Sequence, residues 1–559
     1  MKPAKLTLAM CLWSVLGLHV VQAQSGNNDE VEQLKSRLAT QQKEIDLLQK
    51  TLADQKRALD RLAASRNAAQ APAPAPLPHL GGLVASTSGA LPSTASASPA
   101  APSPSPAYYP PVQSDNSNAS SPLQLLLGNV SIMPVGFMDL TAVWRDKDAG
   151  SSIGSNFGSV PYNNATAGKL SEFRFSPQNS RIGFRIDGDW KGAHFIGYNE
   201  FDFLGTSGSN ALGVTNGAFV PRIRLYWVDV RKGPVEFLAG QSWSMLTPNR
   251  KGISPLPGDI FNSQAMDVNY LAGLTWTRQP GVRLVFHPTD RVAVGFALEN
   301  PNQYMGGSAG GSSIVLPSAL TGLAGTEIDN TSTTYLSTPN VAPDIIAKVA
   351  VDPTSRVHVE VAGIESTFKL WNTTTGTPAS GQYFTKAGVG GSLNANLEVV
   401  KNFRLITNNY WSDGGGRYMF GQAPDFTVRS DGSISPIHSG GVNEGFEANA
   451  TKNLMLWGYY GGIYVGRNVA VDANGTSLVG YGYRGSANSQ NRAIQEVTFG
   501  FTNTFWKDAR YGALSLIGQY EYLTRDPWYV ALNAPKATHD NTIYLDVRYT
   551  LPGGAPASK

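Results

Sequence analysis

The sequence predicts an all-β chain: a 16-stranded antiparallel transmembrane β-barrel, preceded by an N-terminal α-helical coiled coil and a Pro/Ala/Ser-rich linker. Three observations predict it. Apolar and polar side chains alternate along about sixteen segments, the period of an extended chain with two different faces. The connections between those segments alternate between short turns and long polar loops. Charge is scarce, 15% of the 559 residues, against about 25% in an average soluble domain. Yet past the N-terminus no stretch of about 20 apolar residues is present to cross a bilayer as a helix.

The bulk numbers bound the function. Mean hydropathy is −0.18, and 59 glycines and 10% aromatics fit a barrel that is apolar outside and polar inside. Removing two of the 44 basic residues, Lys2 and Lys5, leaves 42 against 41 acidic ones. Bulk charge therefore gives no case for a nucleic-acid partner, and any ionic preference is local. Cys11 is the single cysteine and lies in the N-terminal apolar segment, so the chain beyond it forms no disulfide and no thiolate site.

Residues 1–23 read as a signal peptide: Lys2 and Lys5, an apolar run from Leu6 to Val21, then Val21-Gln22-Ala23 before a cut. Residues 28–66 read as a coiled coil. Position a is Val31, Leu38, Ile45, Leu52 and Leu59; position d is Leu34, Gln41, Leu48, Gln55 and Leu62. The spacing of seven holds over about five heptads. Gln41 and Gln55 lower stability but help fix register or strand number, and the heptads do not decide between two and three strands. Residues 67–121, with APAPAPLP and STASASPAAPSPSP, bury no core and read as an extended Ala/Pro/Ser linker. The barrel is expected over 128–551 and a tail over 552–559.

The strand segments are 136–145, 172–187, 192–204, 221–231, 234–242, 272–287, 290–299, 343–351, 356–370, 382–394, 401–411, 439–450, 453–464, 492–506, 510–525 and 539–551. Short turns such as GDWKG (188–192), RKGP (231–234), DPTS (352–355) and KDAR (507–510) alternate with long connections near 146–171, 205–220, 243–271, 300–342, 412–438 and 465–491. That sorts the two kinds of connection onto opposite rims, the arrangement of outer-membrane barrels. Dyad faces agree. Arg181, Gly183, Arg185 and Asp187 oppose Ile182, Phe184 and Ile186. Thr542, Tyr544, Asp546 and Arg548 oppose Ile543, Leu545, Val547 and Tyr549. In the hairpin 221–243, Arg222, Arg224, Tyr226 and Val228 are expected on one face, and Ile223, Leu225 and Trp227 on the other.

Four stretches carry a resemblance: SPQNSRIGFRIDG (176–188), IGYNEFDFLG (196–205), RIRLYWVDV (222–230) and FLAGQSWSML (237–246). With the heptads and linker before the barrel, the chain resembles the DcaP-like outer-membrane porins of Gram-negative bacteria. The resemblance implies a sixteen-stranded barrel, homotrimeric assembly and passive uptake of small anions such as dicarboxylates. It also implies that the loop after the fifth strand, 243–271, folds into the lumen as a constriction. The chain departs from such barrels at its end, where Tyr549 is followed by Thr550, Leu551 and a Pro/Gly tail.

Candidate pore-lining, anion-binding residues are Arg174, Arg181, Arg185, Arg222, Arg224, Arg278 and Arg283, because a guanidinium stays charged and forks onto carboxylate or phosphate. The bland alternative is that each pairs with a neighbouring carboxylate such as Asp187, Glu200 or Asp202. The constriction loop carries Arg250, Lys251, Asp259 and Asp267. The seven histidines are scattered without metal-ligand spacing, no nucleotide fingerprint appears, and no enzyme, metal or cofactor is expected. The expected partners are outer-membrane lipid, further copies of the chain, small anionic solutes and, through a periplasmic coil, the cell wall. Competing readings are a phosphate- or sugar-selective porin, and a surface β-rich adhesin held together by its coil.

Overall fold

The computed structural model describes residues 123–552, apart from 206–218, 261–263, 308–310, 312, 329–338 and 373–380. The expected signal peptide, heptads and linker, and all but the first residue of the tail, lie outside the described residues. Sixteen strands form the barrel: β1 Val130–Arg145, β2 Arg181–Trp190, β3 Ala193–Gly205, β4 Val220–Lys232, β5 Val235–Trp243, β6 Arg278–Thr289, β7 Val292–Glu299 and β8 Asp344–Thr354. There follow β9 Val357–Asn372, β10 Gln382–Val400, β11 Phe403–Asp413, β12 His438–Asn449, β13 Leu454–Val465, β14 Asn491–Asp508, β15 Gly512–Pro527 and β16 Thr538–Thr550. Each pairs antiparallel with the next, and β16 pairs with β1 from Phe137↔Thr550 to Arg145↔Thr542, closing the sheet. Closure leaves no free edge, the condition for strands to cross a membrane.

All sixteen expected strands are present, and the connections sort as expected. One rim holds tight turns such as Lys191-Gly192, where both residues take positive φ (49° and 77°), the backbone a two-residue hairpin needs. The other rim holds the long connections, to which the structure adds 528–537. A short strand, Glu172–Ser176, continues β2 upward along β1. The alternation places Ile182, Phe184, Ile186, Ile543, Leu545 and Val547 on the exposed outer face, and Arg181, Thr542, Tyr544 and Asp546 on the buried inner one.

Two expectations are corrected. The sixth strand starts at Arg278, not at 272. Ala272 and Thr275 donate their backbone N–H groups to the side chains of Glu496 and Asn408 instead of to a neighbouring strand, which keeps 272–277 in the preceding loop. In β4 the faces do not run unbroken from Arg222 to Val228. Glu200 pairs with Leu225 and Phe201 with Ile223, so Arg224 is one residue more on β4 than β3 has to match. Such a bulge flips the phase of everything beyond it. Arg224, Leu225 and Trp227 therefore face inward, while Tyr226 and Val228 face outward.

The core sits inside the barrel. Phe157, Met245, Leu246, Ile253, Tyr418, Met419 and Phe426, all from long connections, pack against inward Ile346, Ala350 and Ile463. Each such burial stabilises by about 1.5–3 kcal/mol.

Candidate functional site

The connection from Ser244 to Thr277 lies within the barrel, and its bonds to the wall show how it is held. Met245 N–H donates to Glu299 Oε1 of β7 (2.7 Å). Lys348 Nζ of β8 donates to the Thr247 carbonyl (2.9 Å) and Asn249 N–H to Glu360 Oε2 of β9 (3.2 Å). Lys348 and Glu360 themselves pair at 2.9 Å, both fully buried. Gly252 N–H donates to Asp352 of β8 (2.9 Å), and Arg250 forks onto Glu447 of β12 (2.7 and 2.9 Å). Farther along, Gln264 N–H reaches Tyr459 of β13, Met266 N–H reaches Gln519 of β15, and Tyr544 of β16 donates to Asp267 (3.1 Å). Asp352, Glu360 and Glu447 lie within a few residues of the turns, so the loop reaches down toward the turn rim.

The wall is shaped to receive it. Gly441 of β12 and Gly461 of β13 face inward on adjacent strands, and Ala272-Gly273 lies against them. A Cβ on Gly461 would overlap the Ala272 carbonyl oxygen, and one on Gly441 the Gly273 backbone. Gly273 itself sits at φ +82°, backbone that side chains rarely adopt.

The arginine candidates gather at the loop rim of β2–β6. The bulge seats Arg224 between two carboxylates of β3: Nε donates to Glu200 (2.6 Å), Nη1 to Asp202 (2.9 Å) and Nη2 to the Tyr270 hydroxyl of the inserted loop (3.1 Å). Arg222 forks onto Asp202 (3.0 and 2.7 Å). Arg181 lies 3.8 Å from Glu200, with Nε and Nη2 lacking hydrogen-bond partners among the described residues. Arg278 stands over the rings of Trp243 (5.6 Å) and Trp276 (5.5 Å), and Arg224 over Trp243 from its own side (5.9 Å). Arg278 Nη1 has no hydrogen-bond partner among the described residues. Four guanidiniums thus face two carboxylates. The side chain of Arg222 is 39% exposed and that of Arg224 1%.

The other candidates are placed differently. Arg185 forks onto Asp187 two residues along its own strand (2.7–3.0 Å). Arg174 pairs with Glu172 at the rim. Arg283 donates to the Trp243 carbonyl (2.8 Å) and Ser242 (3.3 Å), bracing the end of β5. In the loop, Lys251 lines a cavity of about 50 Å³ near the turn rim with Arg231, Glu236, His287 and Asp290. Asp259 accepts from Ser254 (2.9 Å), and burial pushes its carboxyl up to about 6. Burial also raises Asp267, which accepts from Ser155 N–H and Asn269 N–H. The coiled-coil candidates lie outside the described residues.

Sequence reasoning passed over the residues that fasten the loop: Lys348, Glu360, Glu447, Asp352, Glu496 and Gln519. A signal was available, since each is a polar residue at an inward position of an otherwise alternating strand. It also passed over Trp243, Tyr270 and Trp276, an edge-to-face cluster with centroids 5.2–5.7 Å apart.

No protein-family model matches the chain, and no curated protein matches it in sequence. Solved structures do. The outer membrane channel DcaP of Acinetobacter baumannii superposes with a TM-score of 0.54 at 16% identity, over 76% of this chain and 98% of that one. The anion-selective porin from Comamonas acidovorans gives 0.41 at 13%, over 75% and 99%. OmpF of Salmonella typhi, in complex with daunomycin, gives 0.43 at 12%, over 76% and 99%. The fold of this chain is therefore that of the DcaP outer membrane channel.

Proposed function

We propose that the chain is an outer-membrane porin through which small hydrophilic anions diffuse passively, dicarboxylates foremost, with the Ser244–Thr277 loop narrowing the lumen. The observation that carries this reading is the loop itself. It leaves β5, runs inside the barrel and is bonded from within to β7–β9 and to β11–β16. A connection so placed sets the width of whatever passage remains.

Selectivity rests on the arginines at β2–β6. Arg181, Arg222, Arg224 and Arg278 outnumber Glu200 and Asp202 by two charges, and one-signed clefts with low-dielectric walls focus potential. Arg222 is the most open of them and meets the solute. Arg224, saturated by Glu200, Asp202 and Tyr270, holds the wall's geometry. A carboxylate passing Arg222, whose fork is closed on Asp202, exchanges water for a charge-assisted hydrogen bond from the exposed part of the guanidinium and leaves again because no enclosed cage holds it. The sugar-porin reading is disfavoured, since the lumen aromatics Trp243, Tyr270 and Trp276 are buried and offer no open face for stacking. The adhesin reading leaves the closed barrel and its apolar exterior without a purpose. In this proposal the barrel sits in the outer membrane as a homotrimer, with the heptad segment in the periplasm toward the cell wall.

Reversal potentials across a planar bilayer under a KCl gradient test selectivity. Anion preference is expected, and cation preference overturns it. Competition of succinate with chloride current then tests the dicarboxylate assignment.

A further inference from the structure

The cavity of about 50 Å³ at the turn rim is walled by the inner faces of β4–β8 and by loop residues 251–255. Two of its charged side chains are more than nine-tenths buried and unspent. Arg231, 9% exposed, is the last inward residue of β4. Its Nε donates to the Gly233 carbonyl (3.3 Å), and its two Nη nitrogens make no hydrogen bond or ion pair among the described residues. Glu236, 3% exposed, is its partner across the β4–β5 hairpin. The two do not pair. Glu236 Oε2 faces His287 Nε2 at 2.8 Å, and Oε1 has no hydrogen-bond partner among the described residues. Asp352 is occupied, accepting from Gly252 N–H (2.9 Å) and facing His358 Nδ1 (2.9 Å). Lys251 of the loop and exposed Asp290 add one charge of each sign. Buried polar groups without partners are costly. Here a donor pair and an acceptor border the same space and leave it with one positive and one negative wall.

We infer that this cavity binds a small zwitterion, the adjacent ammonium and carboxylate of an α-amino acid. The Arg231 Nη nitrogens match a carboxylate, which a guanidinium grips through parallel donors. Glu236 Oε1 matches an ammonium, which only donates. A simple anion answers Arg231 but sets a like charge against Glu236, and a simple cation does the reverse. Each water needs about 10–15 Å³ of such space, so the cavity holds roughly four waters or one two-carbon amino acid, and bulky side chains are excluded. Because residues 251–255 form part of the lining, a bound zwitterion braces the loop against β4 and β5. Occupancy therefore favours the docked loop, to the extent that the ligand prefers the docked form over the undocked one. The inference rests on the loop's place inside the barrel and not on the solute proposed above, so a reversal potential of either sign leaves it standing.

The test uses the full chain in detergent micelles, with glycine as the probe at neutral pH. Glycine is expected to slow backbone amide exchange across residues 250–256 several-fold. Sodium acetate or methylammonium chloride at the same concentration is expected to leave it unchanged. Arg231→Gln and Glu236→Gln are each expected to abolish the glycine effect. No slowing by glycine, equal slowing by either single-charge salt, or slowing that survives either substitution overturns the inference. Should a substitution prevent assembly, free leucine on the wild-type chain decides it. Leucine carries the same two charges on a side chain too large for the cavity, so slowing equal to that by glycine overturns the inference, and none supports it.

Discussion

Two stretches of the inner wall use the same residue types for opposite ends. Along β8–β12, Lys348, Glu360 and Glu447 are buried and spent on the inserted loop, with Arg250 returning the contact from the loop side. Along β3–β6, Arg222 and Arg278 are only partly buried, and the arginines there outnumber the carboxylates. The first stretch is charge used as mortar; the second, in the function proposed above, is charge kept as lining. Burial and stoichiometry, not residue type, separate them. Removing one partner of a fully buried pair leaves a stranded ion, whereas removing a half-exposed one changes mainly the local field.

The largest effect is expected on the mortar side. Glu447→Ala removes the carboxylate onto which buried Arg250 forks, at a cost of about 3–5 kcal/mol. The loop is expected to detach from β12, raising single-channel conductance and lowering the temperature at which the SDS-resistant barrel unfolds on a gel. Unchanged conductance with lowered heat resistance would mean that the pair stiffens the wall without setting the width. Next comes Gly461→Ala, which overfills the slot that holds Ala272 at a cost of about 1–3 kcal/mol. It is expected to enlarge conductance noise as the loop shifts, and a quiet trace of wild-type amplitude would show that the loop yields locally.

On the lining side, Arg222→Ala is expected to lower the anion-to-cation permeability ratio while moving stability by no more than about 1 kcal/mol. Reversal potentials and the heat-shift gel, read together, separate the two. A change in stability without a change in ratio would move Arg222 to the mortar class.

The smallest effect concerns pH. Burial lifts Asp259 from the ordinary aspartate value of 3.8 to about 6. Below both values the group is protonated whether the loop is docked or not. Between them only the docked loop holds the proton, so docking weakens as pH rises through that window and levels off above about 6. Channel noise is therefore expected to be lower at pH 5 than at pH 7.5, with the difference abolished by Asp259→Asn. Equal noise at the two pH values in the wild type would refute the assignment.

Much of the barrel was legible because a strand with one apolar outer face and one polar inner face repeats every two residues, as Ile182/Phe184/Ile186 against Arg181/Arg185 shows. The bulge at Arg224 was not, because nothing local in RIRLYWV records that Glu200 and Phe201 of another strand skip a partner. The fastening of the loop was hidden for the same reason at greater range, since Arg250 and Glu447 stand 197 positions apart. The bland alternative for the arginines, pairing with Asp187, Glu200 and Asp202, matches the geometry of Arg185, Arg222 and Arg224. Only the count of charges in the cluster, which requires the fold, leaves an excess.

The seam between β1 and β16 carries a kinetic consequence. Thr141 of the first strand bonds Asp546 of the last across 405 positions, and among the described residues the one earlier strand on that edge, Leu125–Leu127, covers only Val130–Ile132 and leaves Phe137–Arg145 to the last strand. A chain still being synthesised therefore holds an open, adhesive border until its final segment arrives. Assembly is slow for so distant a pairing, and it is the last residues made that decide whether the border zips onto itself or onto a neighbour.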